Sequence, residues 1–161
     1  MAEETPAADS AAPVDFGEIM CRYSAFEARA AQLLPANKAA LLRALGGAAI
    51  AKVIVRFDGA GDSGQIEEVT AFGEDGAERL LPDTQVELQK ISFGEDAPTN
   101  LSEPLDEAID MLAYALLQSS HGGWENNEGA YGEFIFDVAA NLVTLDYNER
   151  YETSEHFSHQ F

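Results

Sequence analysis

Apolar residues along the chain recur first at helical spacings, then at every second position, then at helical spacings again, and end on a second alternating stretch. Phe16, Ile19, Met20, Tyr23, Phe26, Ala30, Leu33 and Leu34 mark one helical face. Asp15 is placed to cap that helix, with Glu18 three residues on, and Pro35 should end it. A shorter helix is predicted from about Asn37 to Leu45, with Leu41, Leu42 and Leu45 inward and Gly46-Gly47 as its stop. Cys21 has no activating base nearby in the sequence and reads as a packed thiol of the first helix.

The period then changes. Val53, Val55 and Phe57 with Ile54 between them predict a strand buried mostly on both faces. Gly59 to Gly64 reads as a loop, and Gln65 to Phe72 as a returning strand, giving a hairpin with a long acidic tip. Glu74-Asp75-Gly76 makes the next turn, and Thr84 to Phe93 a third strand. Val86 and Leu88 are out of phase with Ile91 and Phe93, which a bulge near Gln89-Lys90 would repair. Ser102 to Gln118 carries the clearest helical stripe (Leu105, Ile109, Leu112, Leu116), with Ser102 as cap and Pro104 in the first turn. A second hairpin follows. Phe134 and Phe136 alternate inward, Ala140-Asn141 turns the chain, and Val143, Leu145, Tyr147 and Tyr151 share a face.

These elements predict an α+β fold: an antiparallel sheet of four to five strands (two hairpins) with two to three helices packed on one face. Residues 1–13 read as a flexible tail and 14–161 as a single domain.

Charge sharpens the picture. The formal net charge is −20, yet the chain through Arg56 is balanced, with six acids and six bases. Beyond it only Arg79, Lys90 and Arg150 oppose 23 acids. Such a field repels phosphate backbones and attracts a basic surface, although it also suits plain solubility or a salty habitat. One cysteine, an acidic start and the lack of a long apolar run point to a cytoplasmic protein away from membranes.

Chemical motifs are weak. Gly61-Asp62-Ser63-Gly64 matches the surroundings of a serine-protease nucleophile, but all three histidines (His121, His156, His159) follow Ser63, whereas the base should precede it. A calcium loop beginning at Asp58 fails the EF-hand pattern at Ala60, Ser63 and Val69. His156 and His159 have a zinc-compatible spacing but lack an adjacent glutamate motif. No cofactor is expected. The stretch Ser119 to Asp137 concentrates four glycines, the only tryptophan, and amides among carboxylates. It serves either as backbone geometry closing the core edge or as a rigid recognition loop.

Two passages carry a resemblance: Val53-Ile54-Val55-Arg56-Phe57-Asp58-Gly59-Ala60-Gly61-Asp62-Ser63-Gly64-Gln65-Ile66-Glu67, and His121-Gly122-Gly123-Trp124-Glu125-Asn126-Asn127-Glu128-Gly129-Ala130-Tyr131-Gly132-Glu133-Phe134. Together they resemble an uncharacterised family of small bacterial proteins, a domain of unknown function with some members near plasmid or phage genes. The likeness spans roughly Val53 to Phe161 and implies no activity or catalytic residue. It implies a bacterial, mobile-element setting and makes the two glycine-rich segments the shared features.

The functional expectation is a non-enzymatic acidic protein-binding module, an inhibitor or nucleic-acid mimic that docks on a basic partner. Its contact residues would be Asp58, Asp62, Glu67, Glu68, Trp124, Glu125, Asn126, Asn127, Glu128 and Tyr131. The alternative is a metal-dependent hydrolase or ligand-binding enzyme using His121 with Asp58, Asp62, Glu133 or the terminal histidines. Charge alone sets a first test. Raising salt by about 0.3 M should increase the melting temperature, because screening relieves repulsion among the acids. A melting temperature that falls instead would mean that the acids are mostly paired.

Overall fold

A computed structural model describes residues 12–161, so the expected tail, residues 1–13, lies almost wholly outside the described residues. Helix α1 (Phe16–Gln32) is followed by α2 (Leu34–Gly47), β1 (Lys52–Ala60), β2 (Ser63–Phe72), β3 (Glu78–Arg79), β4 (Gln85–Lys90) and β5 (Thr99–Pro104). Helix α3 (Leu105–Ser120), β6 (Ala130–Asp137) and β7 (Leu142–Glu149) complete the order. The main sheet has five antiparallel strands in the order β3-β2-β1-β6-β7, and β4-β5 form a separate antiparallel ribbon. The α+β class and the two sequence-predicted hairpins, β1-β2 and β6-β7, are present.

The core lies between one face of the sheet and α2 and α3. Val53, Val55, Phe57, Phe134 and Phe136 project from the two central strands onto Leu41, Leu42 and Leu45 of α2 and Ala108, Ile109, Leu112 and Leu117 of α3. Val86 and Leu88 of the ribbon join the same cluster. The other sheet face is open. There Arg56 lies between Glu68 (2.9 Å) and Glu133 (3.6 Å). β1 is thus buried on one face only, not on both, because its neighbours alternate in step and no helix among the described residues packs on the side of Arg56 and Asp58.

Several local expectations are corrected. Asp15 does cap α1, accepting hydrogen bonds from the Gly17 and Glu18 amides. The helix nevertheless ends at Gln32, and Pro35 stands in the first turn of α2, where a missing N–H costs nothing. No residue of α1 is buried, so Cys21 is exposed rather than packed. Gly46 and Gly47 remain inside α2, and Ala49 takes the left-handed conformation instead (φ 60°). α2 starts at Leu34, which frees Asn37 to pair with the backbone of Gln89 through both amide atoms, each at 2.9 Å.

Ser102 is not a helix cap. It lies in β5 opposite Glu87, and α3 begins only after Pro104. The pyrrolidine ring disfavours a helical residue before it, so the chain stays extended through Glu103. No bulge carries β4 to Phe93: the strand stops at Lys90, Ile91 turns inward, and Phe93 packs on Tyr23 and Phe26. The register slip occurs instead in the first hairpin, where Arg56 faces Glu68 but Phe57 faces Ile66. Glu67 is the extra residue.

Asp110 sits part-buried on α3, and burial pushes its carboxyl above the ordinary range, with Glu107 and Asp106 adding to the rise. A raised folded pKa means that the native state holds the proton more tightly. The associated stability is present below the unfolded value and is lost as pH rises through the folded one. Asp110→Asn should therefore raise the melting temperature at pH 7, with a smaller gain at pH 4. Equal gains at both pH values, or a loss at pH 7, would show that the charged carboxylate is not penalised.

Candidate functional site

The two glycine-rich segments meet at one end of the sheet. The expected loop Gly59 to Gly64 is mostly strand: Ala60 pairs with Ser63, and the turn is only Gly61-Asp62, with φ of 61° and 64°. Positive φ at both positions matches the right-handed twist of a two-residue hairpin, so the long acidic tip does not form. Against this turn lies the segment after α3. The Gly61 amide donates to the Asn127 carbonyl (2.8 Å) and the Asp62 amide to the Glu125 carbonyl (3.0 Å). In return the Asn127 amide donates to Asp62 Oδ1 (3.2 Å).

Trp124 fills the space under this seam. Its ring meets Phe57 edge to face, with centroids 5.5 Å apart, and covers Gly59 and Gly64. A Cβ on Gly59 would stand 2.6 Å from the indole, and one on Gly64 would also collide with it. Gly129 has a φ of 75° and lies so close to the Gly59 carbonyl that no side chain fits. These glycines are required by close approach as well as by turns.

A second clasp comes from the end of β7. Arg150 grips Asp58 with both guanidinium nitrogens (2.9 and 3.1 Å), donates to the Gly59 carbonyl (3.2 Å), and stacks over Tyr131 at 4.5 Å. Its amide donates to the Gly129 carbonyl (2.9 Å). The Asp58 hydrogen bonds hold the guanidinium pKa above its ordinary value. Arg150 directly follows β7, and the registers of β1, β6 and β7 together bring it to Asp58.

Of the ten sequence-predicted contact residues, Trp124 is buried, Asp58 is held by Arg150, and Glu68 by Arg56. Asp62, Glu67, Asn126, Asn127 and Glu128 are exposed, all but Glu67 in the segments that form the seam, and one side of the Tyr131 ring is covered by Arg150. Glu125 is half-buried, and its Oε2 is buried with no protein donor among the described residues. It borders an open groove of about 500 Å³ with Asp62, Ser63, Gly64, Trp124 and two residues of α3, Tyr114 and Gln118. Tyr114 accepts a hydrogen bond from the Ile66 amide (2.9 Å), tying α3 to β2. Neither α3 residue was anticipated, since both lie off the helix's apolar stripe.

His121 stacks on Tyr147 at 3.7 Å, and burial, then Glu149 and Glu125, push the Tyr147 phenol up. Among the described residues no three His, Cys, Asp or Glu side chains gather as a metal site would require. His121 is thus not brought together with Asp58, Asp62 and Glu133 as the metal reading requires.

The seam makes a direct prediction. Gly59→Ala should destabilise by about 1–3 kcal/mol, the usual cost of overpacking. Trp124→Leu, itself costly, should cancel much of that added loss, a coupling that denaturation of both single variants and the double variant would measure. Additive losses would mean that the indole and Gly59 are not in contact.

No curated protein and no solved structure matches the chain. No helix among the described residues is long and apolar enough to cross a membrane. A family model does match, over residues 33–161, which takes in α2, both sheets, α3 and the seam, and leaves out α1. The chain therefore belongs to the family of unknown function DUF6878.

Proposed function

We propose that the protein is a cytoplasmic, non-enzymatic binding module that docks the seam between its two glycine-rich segments onto a basic protein surface. The observation that carries the reading is Glu125: a carboxylate oxygen buried without a donor among the described residues, beside a groove that Asp62 also borders. A carboxylate oxygen buried without a donor is costly, and a lysine or arginine from a partner would supply the donor it lacks. Asp62 borders the groove as a further acceptor, with Glu67 and Glu128 exposed on β2 and on the segment after α3, while Trp124 holds the backbone of the turn. Rigid carboxylates suit this role because little conformational freedom is lost on binding.

A basic surface able to recognise such an array is commonly one that binds phosphates, so the partner class we favour is a nucleic-acid-binding protein, with this chain occupying its site as an inhibitor. The resemblance to proteins encoded near plasmid or phage genes agrees with an inhibitor of a host or defence protein.

The test is capture of partners from bacterial lysate on immobilised protein at about 0.05 M and about 0.5 M salt, where screening lengths differ roughly threefold. The expected partner is basic, is retained only at low salt, is released by added duplex DNA, and is lost with the double variant Asp62→Asn, Glu125→Gln. Equal capture by wild type and variant would remove the groove from the interface. Recovery of no basic protein at low salt would end the binding-module reading.

A further inference from the structure

We propose that the cavity where α1, α2, α3 and β4 meet binds a free medium-chain fatty acid, its carboxylate paired with Lys90 and its tail lying between α1 and α3. The cavity has a volume of about 360 Å³, at the small end of ligand pockets. Leu33 and Leu34 line it from the α1–α2 junction, Met111 and Leu112 from α3, and Leu88 and Ile91 from β4 and its end. Asn37 holds β4 against α2 through its two hydrogen bonds to the Gln89 backbone, so the cavity is formed before any ligand arrives. The site does not rest on the partner reading: this cavity and the groove at Glu125 share only Tyr114.

Strand alternation supplies the charge. Val86 and Leu88 face inward and are buried, and Lys90 is the next residue on that face. The core gives way to the cavity there, and Lys90 lines it. The lysine forms no ion pair among the described residues. No acid lines the cavity, although acids outnumber bases 29 to 9 in the chain. Glu95 and Asp96 of the following loop border a separate cavity with Arg29, and Glu95 accepts from the Ser92 amide. Two further polar groups of the lining are engaged, Asn37 with Gln89 and the Tyr114 hydroxyl with the Ile66 amide. One cation over an apolar floor, with no carboxylate opposing it, complements an anionic head on an apolar tail.

A second cavity of about 430 Å³ shares Ala30, Leu34 and Ala115 with the first and continues between α1 and α3 to Tyr23 and Phe26. From Leu34 to Tyr23 this path runs about 16 Å along the helix axis. Its acid is Glu27, which accepts from Gln118 at 3.4 Å. Glu27 lines only the second cavity and Lys90 only the first, so the field along the path directs the carboxylate to the lysine end. A straight chain of about ten carbons fills the first cavity and reaches into the second. An acyl chain esterified to a lipid or a protein would lack the free carboxylate that Lys90 requires.

Calorimetric titration of the full chain with decanoate should show saturable binding of one molecule per chain. The net charge of −20 repels anions, so the general field does not produce such uptake. Lys90→Met keeps the apolar stem and removes the charge; it should weaken decanoate at least tenfold and leave decanol unchanged. Ala115→Phe, on α3 where the cavities join, should weaken both ligands at least tenfold. Hexanoate should also bind at least tenfold more weakly than decanoate, since each buried methylene is worth about fourfold. Lys90 and Ala115 are exposed, so the melting temperatures of both variants should stay close to that of wild type. Absence of saturable decanoate binding overturns the site. Binding that ignores Lys90→Met, or an equal loss of decanol, overturns the ion pair. Binding that ignores Ala115→Phe or the shorter chain overturns the seating of the tail.

Discussion

The corner of the molecule that carries most of its unusual residues depends on an indole ring laid on two glycines. With Trp124 over Gly59 and Gly64, the backbones of the first hairpin and the post-α3 segment come close enough for three amide hydrogen bonds to span them. A side chain at either glycine would hold the segments apart, and those amides would face solvent instead. The aromatic contact to Phe57 continues the same packing into the sheet, so the seam is an edge of the core rather than an appended loop. Removing a buried aromatic of this size typically costs about 3–5 kcal/mol, several times the worth of any single exposed ion pair on the surface.

Arg150 closes the corner differently. Its pairing with Asp58 is exposed and contributes little to stability, about 0–1 kcal/mol for such pairs. Its value is positional, since the same guanidinium binds the Gly59 carbonyl and covers Tyr131. One arginine thereby holds the end of β7 to the strand that bears the glycines. Asp58 is consequently engaged, and the acids that border the groove are Asp62 and Glu125. The same logic applies on the open sheet face, where Arg56 bridges Glu68 and Glu133 and moderates a field that composition alone makes uniformly negative.

Two layers of organisation emerge. The family-matched domain is complete without α1: its buried residues come from α2, α3, the two sheets and the segments between them. α1 lies on α2 and α3, steadied by Phe93 against Tyr23 and Phe26 and by Arg29 on the carbonyls of Glu95 and Asp96. Its half-open apolar stripe and its balanced charge set it apart from the acidic domain.

Local periodicity determined much of the fold by itself. Leu41, Leu42 and Leu45 of α2, the alternation of Val53, Val55 and Phe57, and that of Phe134 and Phe136 all point inward as their spacing requires, because burial on one face imposes that spacing. The Asp15 cap was legible for the same reason: it needs only its own next three residues. What failed was non-local. Ser102 reads as a cap until β4 claims its segment as a partner strand, and Cys21 reads as packed until α1 proves to lie on the surface. For the site, residue types pointed to both glycine-rich segments and to the acids. They gave no way to tell Trp124, which is buried, from Glu125, which has an oxygen with no donor among the described residues. Those roles depend on which backbones approach within a few ångströms. That is decided by strand register and by the seating of one ring, which spacing along the chain does not encode.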